Sequence, residues 1–214
     1  PMLNLCGDRY HFAVAFCAAA LRGHTSLLPP NQTATMLAPL CEQWPTLYAL
    51  VDGEAGAPAG LDSVAYDTRG ACPRVGTAFR VPEVPADQLA ALVFTSGSTG
   101  RPTPHPKHWA SLITNVRAEA RRLGLDEGRP ATLVGTVPSQ HMYGFESTVL
   151  LALHNGIALH AGKPFFAADI VATLAGIDGD RVLVTTPFHL RNLLESGVEV
   201  PPLRLVLSAT APLD

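Results

Sequence analysis

The chain has 214 residues, of which 47% are apolar and 15% charged, enough material for one large domain or two small ones with a core. Its formal charge of −3 excludes a broad basic field for nucleic acid or a membrane surface, so an anionic ligand would need a local site. Thirteen arginines accompany only two lysines, Lys107 and Lys163. Four cysteines, Cys6, Cys17, Cys41 and Cys72, form no CxxC pair and have no histidine at metal spacing. That pattern argues against a zinc site or a disulfide framework and for a reducing cytoplasm. The apolar run at 12–21 is too short to cross a bilayer, and Asp8 stands where a signal peptide would carry a basic leader. It reads as a buried helix.

In chain order, residues 2–6 read as a strand and 9–22 as a helix that Gly23 stops. A short strand at 25–29 follows, then a helix at 32–44 ended by Pro45 and a strand at 46–52 closed by the glycines and prolines of 53–60. The turn-rich stretch 63–85 is expected to hold one or two antiparallel strands and a linker. Beyond it come a strand at 91–95 and an amphipathic helix at 109–123, with Leu112, Val116 and Leu123 on one side and Arg117, Arg121 and Arg122 on another. Strands at 131–137, 157–161, 181–186 and 203–208 then alternate with helices at 143–153, 165–174 and 188–194. This alternation predicts an α/β fold: a mostly parallel sheet with flanking helices, built from repeated right-handed βαβ units. The expected division is a first subdomain over 1–85, with its irregular linker, and a second over 86–214. Both ends, Pro1 and Asp214, abut apolar runs and read as cuts in a longer chain. An edge exposed there would favour self-association.

One segment stands apart, FTSGSTGRPTPHPKHW at 94–109. From Thr95 to Arg101 it holds only hydroxyls, glycines and one cation. In parallel sheets ligands sit at the carboxyl ends of strands, and this loop leaves such an end. Gly97 and Gly100 allow backbone N–H groups to converge, Ser96, Ser98 and Thr99 add donors, and Arg101 and Lys107 add charge, a set suited to phosphate oxygens. Neither GxxxxGK[ST] nor GxGxxG occurs anywhere in the chain. Composition alone leaves a solvated Ser/Gly connector equally open.

The order TSGSTGRP resembles the phosphate-binding signature of the adenylate-forming superfamily, which includes acyl- and aryl-CoA synthetases, adenylation domains and luciferases. PSQHMYGFES at 138–147 is similar to that family's acid-pocket motif, and LSATAPLD at 207–214 to its adenine-contacting segment. The resemblance implies ATP-dependent activation of a small carboxylic acid, aryl or fatty, as an acyl-adenylate. The acyl group would pass to the thiol of coenzyme A or of a phosphopantetheine arm on an acyl carrier protein. Thr95, Ser96, Gly97, Ser98, Thr99 and Gly100 would hold the phosphates, with Lys107 and Mg²⁺ offsetting charge. His141 would stand by the carboxylate and α-phosphate, and Tyr143, Gly144 and Phe145 would shape the acid pocket. Ala209, Thr210, Ala211 and Pro212 would lie against adenine.

The sequence departs from the family at Thr103, where a lysine is usual; Lys107 is read as its displaced equivalent on a prolyl loop. The family's Mg²⁺-holding acidic segment and its mobile C-terminal domain with a catalytic lysine lie beyond Asp214. Lys163 has no claim to that role, and no residue here is assigned to a metal. His105 and His108 form HxxH, but Pro106 between them rules out a shared helical face. His154, His160 and His189 read as surface or boundary residues. A non-catalytic nucleotide-binding or carrier-interacting module remains the alternative class.

Overall fold

The computed structural model describes residues 1–53, 58, 60–66, 81–95, 103–126 and 128–213, so 67–80 and the loop at 96–102 lie outside the described residues. The chain forms two compact units, Pro1–Ala110 and Ser111–Asp214. The division falls later than the turn-rich stretch suggests. Strand β5 (Leu89–Thr95) hydrogen-bonds in parallel to β2 (Ser26–Leu28), which ties the root of the Ser/Gly loop to the first unit.

In that unit the described strands run in the order β4-β3-β1-β2-β5-β6, with β1 Met2–Asn4, β3 Tyr48–Val51, β4 Asp62–Ala65 and β6 Thr103–His108. Five are parallel, including β4, which was expected to be antiparallel. The antiparallel member is β6, at residues expected to form a prolyl loop. Pro104 and Pro106 sit at alternate positions opposite Phe94 and Leu92, so their missing N–H groups all fall on the side away from β5. An edge strand tolerates that, and the prolines also blunt the edge against further pairing.

Helix α1 (Arg9–Leu21) starts at Asp8, whose carboxylate accepts the His11 N–H at 3.0 Å, and stops at Gly23 with φ +70°. It buries Phe12, Ala13, Ala15, Phe16, Ala19 and Ala20, as a ten-residue apolar run should. Helix α2 (Ala34–Gln43) sets Leu37 and Leu40 against Leu3, Leu27, Ala49 and Phe94 of the sheet.

The second unit holds a fully parallel sheet in the order β10-β9-β7-β8, with β7 Ala131–Gly135, β8 Ala158–Leu159, β9 Asp180–Thr185 and β10 Leu205–Ser208. Alternation along the strands feeds two cores. Leu133, Val182 and Val184 pack with Ala120 of α3 (Trp109–Arg122) and Leu151 of α5 (Leu151–Asn155) on one face. Val134 and Leu183 pack on the other with Ile170 and Leu174 of α6 (Ala167–Ala175) and Leu193 of α7 (Pro187–Glu195). At the amino end of β9, Asp180 pairs with Arg129 at 2.5 Å and Arg204 at 3.5 Å. The opposite, carboxyl crest is left to neutral side chains.

The turn after β1 is pinned by one carboxylate. Asp52, just past β3, accepts from the Gly7 N–H at 2.8 Å and the Asp8 N–H at 2.9 Å, and lies 3.0 Å from the His11 Nδ1. Burial pushes its pKa up, but those bonds outweigh it and hold the carboxyl below the ordinary value. A depressed folded pKa gives stability that is fully present above the unfolded value, near 4, and is lost as pH falls through the folded one. Asp52→Ala should therefore cost about 2–3 kcal/mol in urea unfolding at pH 7. Asp52→Asn should flatten the loss of stability between pH 5 and pH 3 that the unmutated chain shows.

Candidate active site

Four connections leave the carboxyl crest of the second sheet, where a parallel sheet presents its ligands. The segment after β7 runs through Thr136 and Pro138 to a three-part helical stretch: α4 (Met142–Gly144), a π-turn (Phe145–Leu150) and α5. Predicted as one α-helix, the stretch opens into a π-bulge, a distortion that favours functional sites. His141 occupies the N-cap position, exposed, without capping the helix through its side chain. Tyr143 reaches across the crest: its hydroxyl lies 3.0 Å from the Thr185 carbonyl and 2.9 Å from that of Leu207. Burial, with Glu119 nearby, pushes its pKa up to about 12, so it stays a donor. Gly144 is set by close approach, because a Cβ there would lie 2.0 Å from the Pro138 carbonyl oxygen. Phe145 is fully buried.

The Tyr143 hydroxyl thus joins two of the predicted motifs, 138–147 and 207–214. The second leaves β10 through Ser208, whose Oγ is buried without a hydrogen-bond partner among the described residues. Ala209 follows, then Thr210 at φ +86°, a left-handed conformation that a β-branched residue adopts only under constraint. Thr210, Ala211 and Pro212 are exposed.

The third connection, after β9, corrects the reading of His189 as a surface or boundary residue. His189 is only 8% exposed, held at Nδ1 by the Thr186 hydroxyl at 2.8 Å and the Thr136 hydroxyl at 3.3 Å. Thr136 in turn meets the Thr185 hydroxyl at 2.9 Å. The phenyl rings of Phe165 and Phe188 stand nearly perpendicular to the imidazole, 5.1 and 5.4 Å away. Burial lowers the His189 pKa, and its Nε2 has no hydrogen-bond partner among the described residues. Only the run TTPFH, a threonine cap and Pro before a histidine, signals this arrangement in the sequence.

In the first unit, the loop residues Ser96, Gly97, Ser98, Thr99, Gly100 and Arg101 lie outside the described residues; Thr95 ends β5 and pairs with Thr103. Lys107 pairs with Ala91, four residues down β6 from Thr103, or roughly 13 Å along a strand. The expected prolyl loop is corrected on this point: the prolines carry a strand, and Lys107 lies along it from the loop root. His105 and His108 fall on opposite faces of the same strand, since their spacing is odd. Among the described residues no three His, Cys, Asp or Glu side chains gather into a cluster that could hold a metal ion.

The sequence matches the AMP-binding enzyme family over residues 6–214. The chain belongs to that family. A 4-coumarate–CoA ligase of Rhodobacter capsulatus is 34% identical over 122 residues, covering 56% of this chain and 31% of that protein. One from Halorhodospira halophila is 32% identical over 120 residues, covering 54% and 28%. The chain thus spans about a third of the curated relatives it matches. A malonyl-CoA ligase with methylmalonyl-CoA and AMP bound superposes on 100% of the chain and 47% of its own length, with TM-score 0.80 and 21% identity. The o-succinylbenzoate-CoA synthetase of Bacillus subtilis, bound to its acyl-adenylate, covers 99% and 44%, with TM-score 0.76 and 19% identity. These two likenesses establish the fold: the α/β architecture of an AMP-binding enzyme's N-terminal part.

Two substitutions test this crest. Gly144→Ala should lower stability by about 2 kcal/mol or more in thermal or urea unfolding, because backbone must move away from the new methyl. Thr210→Gly should raise it by about 1 kcal/mol through release of the left-handed constraint.

Proposed function

We propose that this chain carries the ATP- and acid-handling part of an AMP-forming ligase that activates an aryl acid of the hydroxycinnamic type for transfer to coenzyme A. The observation that carries the reading is the family match across 6–214, which takes in all three motifs in order. The names of the two curated relatives favour a hydroxycinnamic acid over a fatty acid, and coenzyme A over a carrier-protein arm.

In this reading a carboxylate oxygen attacks the α-phosphorus of ATP, the bond to the bridging oxygen breaks, and pyrophosphate leaves with the acyl-adenylate remaining. A thiolate then attacks the acyl carbon and expels AMP. Such chemistry needs positioning and charge neutralisation more than covalent help. The hydroxyls and N–H groups of Thr95, Ser96, Gly97, Ser98, Thr99 and Gly100 take the phosphates, with Arg101 beside them. His141 faces the carboxylate and α-phosphate, the wall at Tyr143, Gly144 and Phe145 bounds the acid, and 209–212 lie against adenine. Mg²⁺, when bound, offsets phosphate charge. ATP and coenzyme A set this work in the cytoplasm, and among the described residues no helix is long and apolar enough to cross a membrane.

A second reading, ATP binding without turnover, draws support from the lysine pattern. Thr103 stands where the family usually has its loop lysine, and Lys107 lies down the strand. Carboxylate-dependent exchange of labelled pyrophosphate into ATP separates the two. Under the first reading a cinnamic acid stimulates exchange more than benzoic or fatty acids do. Under the second, ATP binds and no acid gives exchange. Under either, Thr99→Ala should weaken ATP binding about tenfold, or roughly 1.4 kcal/mol. Unchanged affinity would remove the loop from the site.

A further inference from the structure

His189 contributes none of the residues in the three motifs, yet it belongs to a continuous polar chain that ends at one of them. The Thr186 hydroxyl accepts from the His189 backbone N–H at 3.4 Å, so its own proton is available to Nδ1 at 2.8 Å. Nδ1 is then the acceptor, and the neutral ring carries its proton on Nε2. The Nδ1 lone pair is shared with the Thr136 hydroxyl, the longer of the two contacts at 3.3 Å, and the Thr136 oxygen then accepts from the Thr185 hydroxyl at 2.9 Å. Thr185 is thereby gripped twice, by its hydroxyl from this side and by its carbonyl from Tyr143, which also holds the Leu207 carbonyl. Leu207 leads within three residues to the left-handed Thr210.

We propose that His189 is a positioning residue for the 208–212 turn, acting through Thr136 and Thr185 on the Tyr143 hydroxyl. Two features support a purpose beyond packing. The imidazole is buried in its neutral form with Nε2 unpartnered among the described residues, an arrangement that leucine would avoid, and the Nδ1 contacts offset it. The chain of contacts also ends where strain is stored, and a strained turn persists only when its surroundings over-determine it. The consequence for ATP, that the turn meets adenine in the right conformation, rests on the adenylation reading; the consequence for the turn itself does not.

Amide hydrogen exchange on the whole 214-residue chain tests it, with His189→Leu, His189→Asn and His189→Gln. Asn presents Oδ1 where Nδ1 stood, whereas Gln presents its amide where Nε2 stood. Exchange at 207–210 should rise about tenfold in His189→Leu and His189→Gln and return towards the starting rate in His189→Asn, with α3 amides unchanged as the control. The ATP dissociation constant should follow the same order. Rescue by Gln instead of Asn would overturn the proposal, since it would assign the work to Nε2. Unchanged exchange at 207–210 in a folded His189→Leu chain would overturn it as well. Should that variant unfold, the Asn and Gln pair still decides. If the exchange pattern holds while the unmutated chain binds no ATP, the adenylation reading fails alone.

Discussion

A single phenolic proton serves two carbonyl oxygens at the crest of the second sheet. Beyond the last ladder bond of a parallel sheet, strand-end carbonyls need partners from elsewhere, and a buried one left unpaired costs as much as a lost hydrogen bond. Tyr143 supplies that partner for β9 and β10 together, at Thr185 and Leu207. Because burial holds its pKa at about 12, the bridge is indifferent to pH across the range where the histidines titrate. The helical stretch that carries it is constrained in turn, since Gly144 must lie against the Pro138 carbonyl for the ring to reach the crest. Tyr143 and Gly144 therefore act together as a clamp on the two strand ends. The exposed position is His141, two residues before the clamp.

The charge distribution of the second unit follows the same division. Arg129, Asp180 and Arg204 staple the amino end of β9, where an exposed ion pair contributes little stability but fixes register. The carboxyl crest carries Thr136, Thr185, Thr186, Tyr143 and Ser208, all neutral, with a histidine that burial keeps uncharged. There the Thr136 and Thr185 hydroxyls hold each other, the Thr186 hydroxyl holds the imidazole, and the Tyr143 hydroxyl holds two strand-end carbonyls.

The alternation of apolar runs revealed the parallel sheets and nearly every helix, because strand and helix periods differ enough to survive without context. It failed where one local rule competes with another. Pro104 and Pro106 argued for a loop, but at an edge strand their spacing of two aligns both missing donors outward, so tertiary pairing prevailed. The stretch at 62–65 carried turn signals on both sides and still pairs in parallel, since β3 offers a free edge. The compact units divide at Ala110 and Ser111, beyond the turn-rich segment, because the strand that follows that segment returns to the first sheet. His189 was invisible for a different reason. One histidine in a helical pattern carries no sign of burial, and its partners Thr136 and Thr185 are distant in sequence. Tyr143 and the 207–212 segment were found by motif order, yet the hydrogen bond that joins them could not be read from spacing.

Rigidity and strain are arranged in sequence along the chain from Leu207 onward. The Leu207 carbonyl is fixed by Tyr143, the Ser208 hydroxyl is buried with no partner among the described residues, and Thr210 stands in a conformation that a glycine would adopt freely. Each of the last two is unfavourable alone, and both sit within three residues of a well-held anchor. A turn free of constraint would relax at both points, by exposing Ser208 and rotating Thr210. Their persistence fits a backbone held against relaxation by the anchor at Leu207. The crest network of Thr136, Thr185 and His189 reaches that anchor through the Thr185 carbonyl, although none of its side chains belongs to a motif.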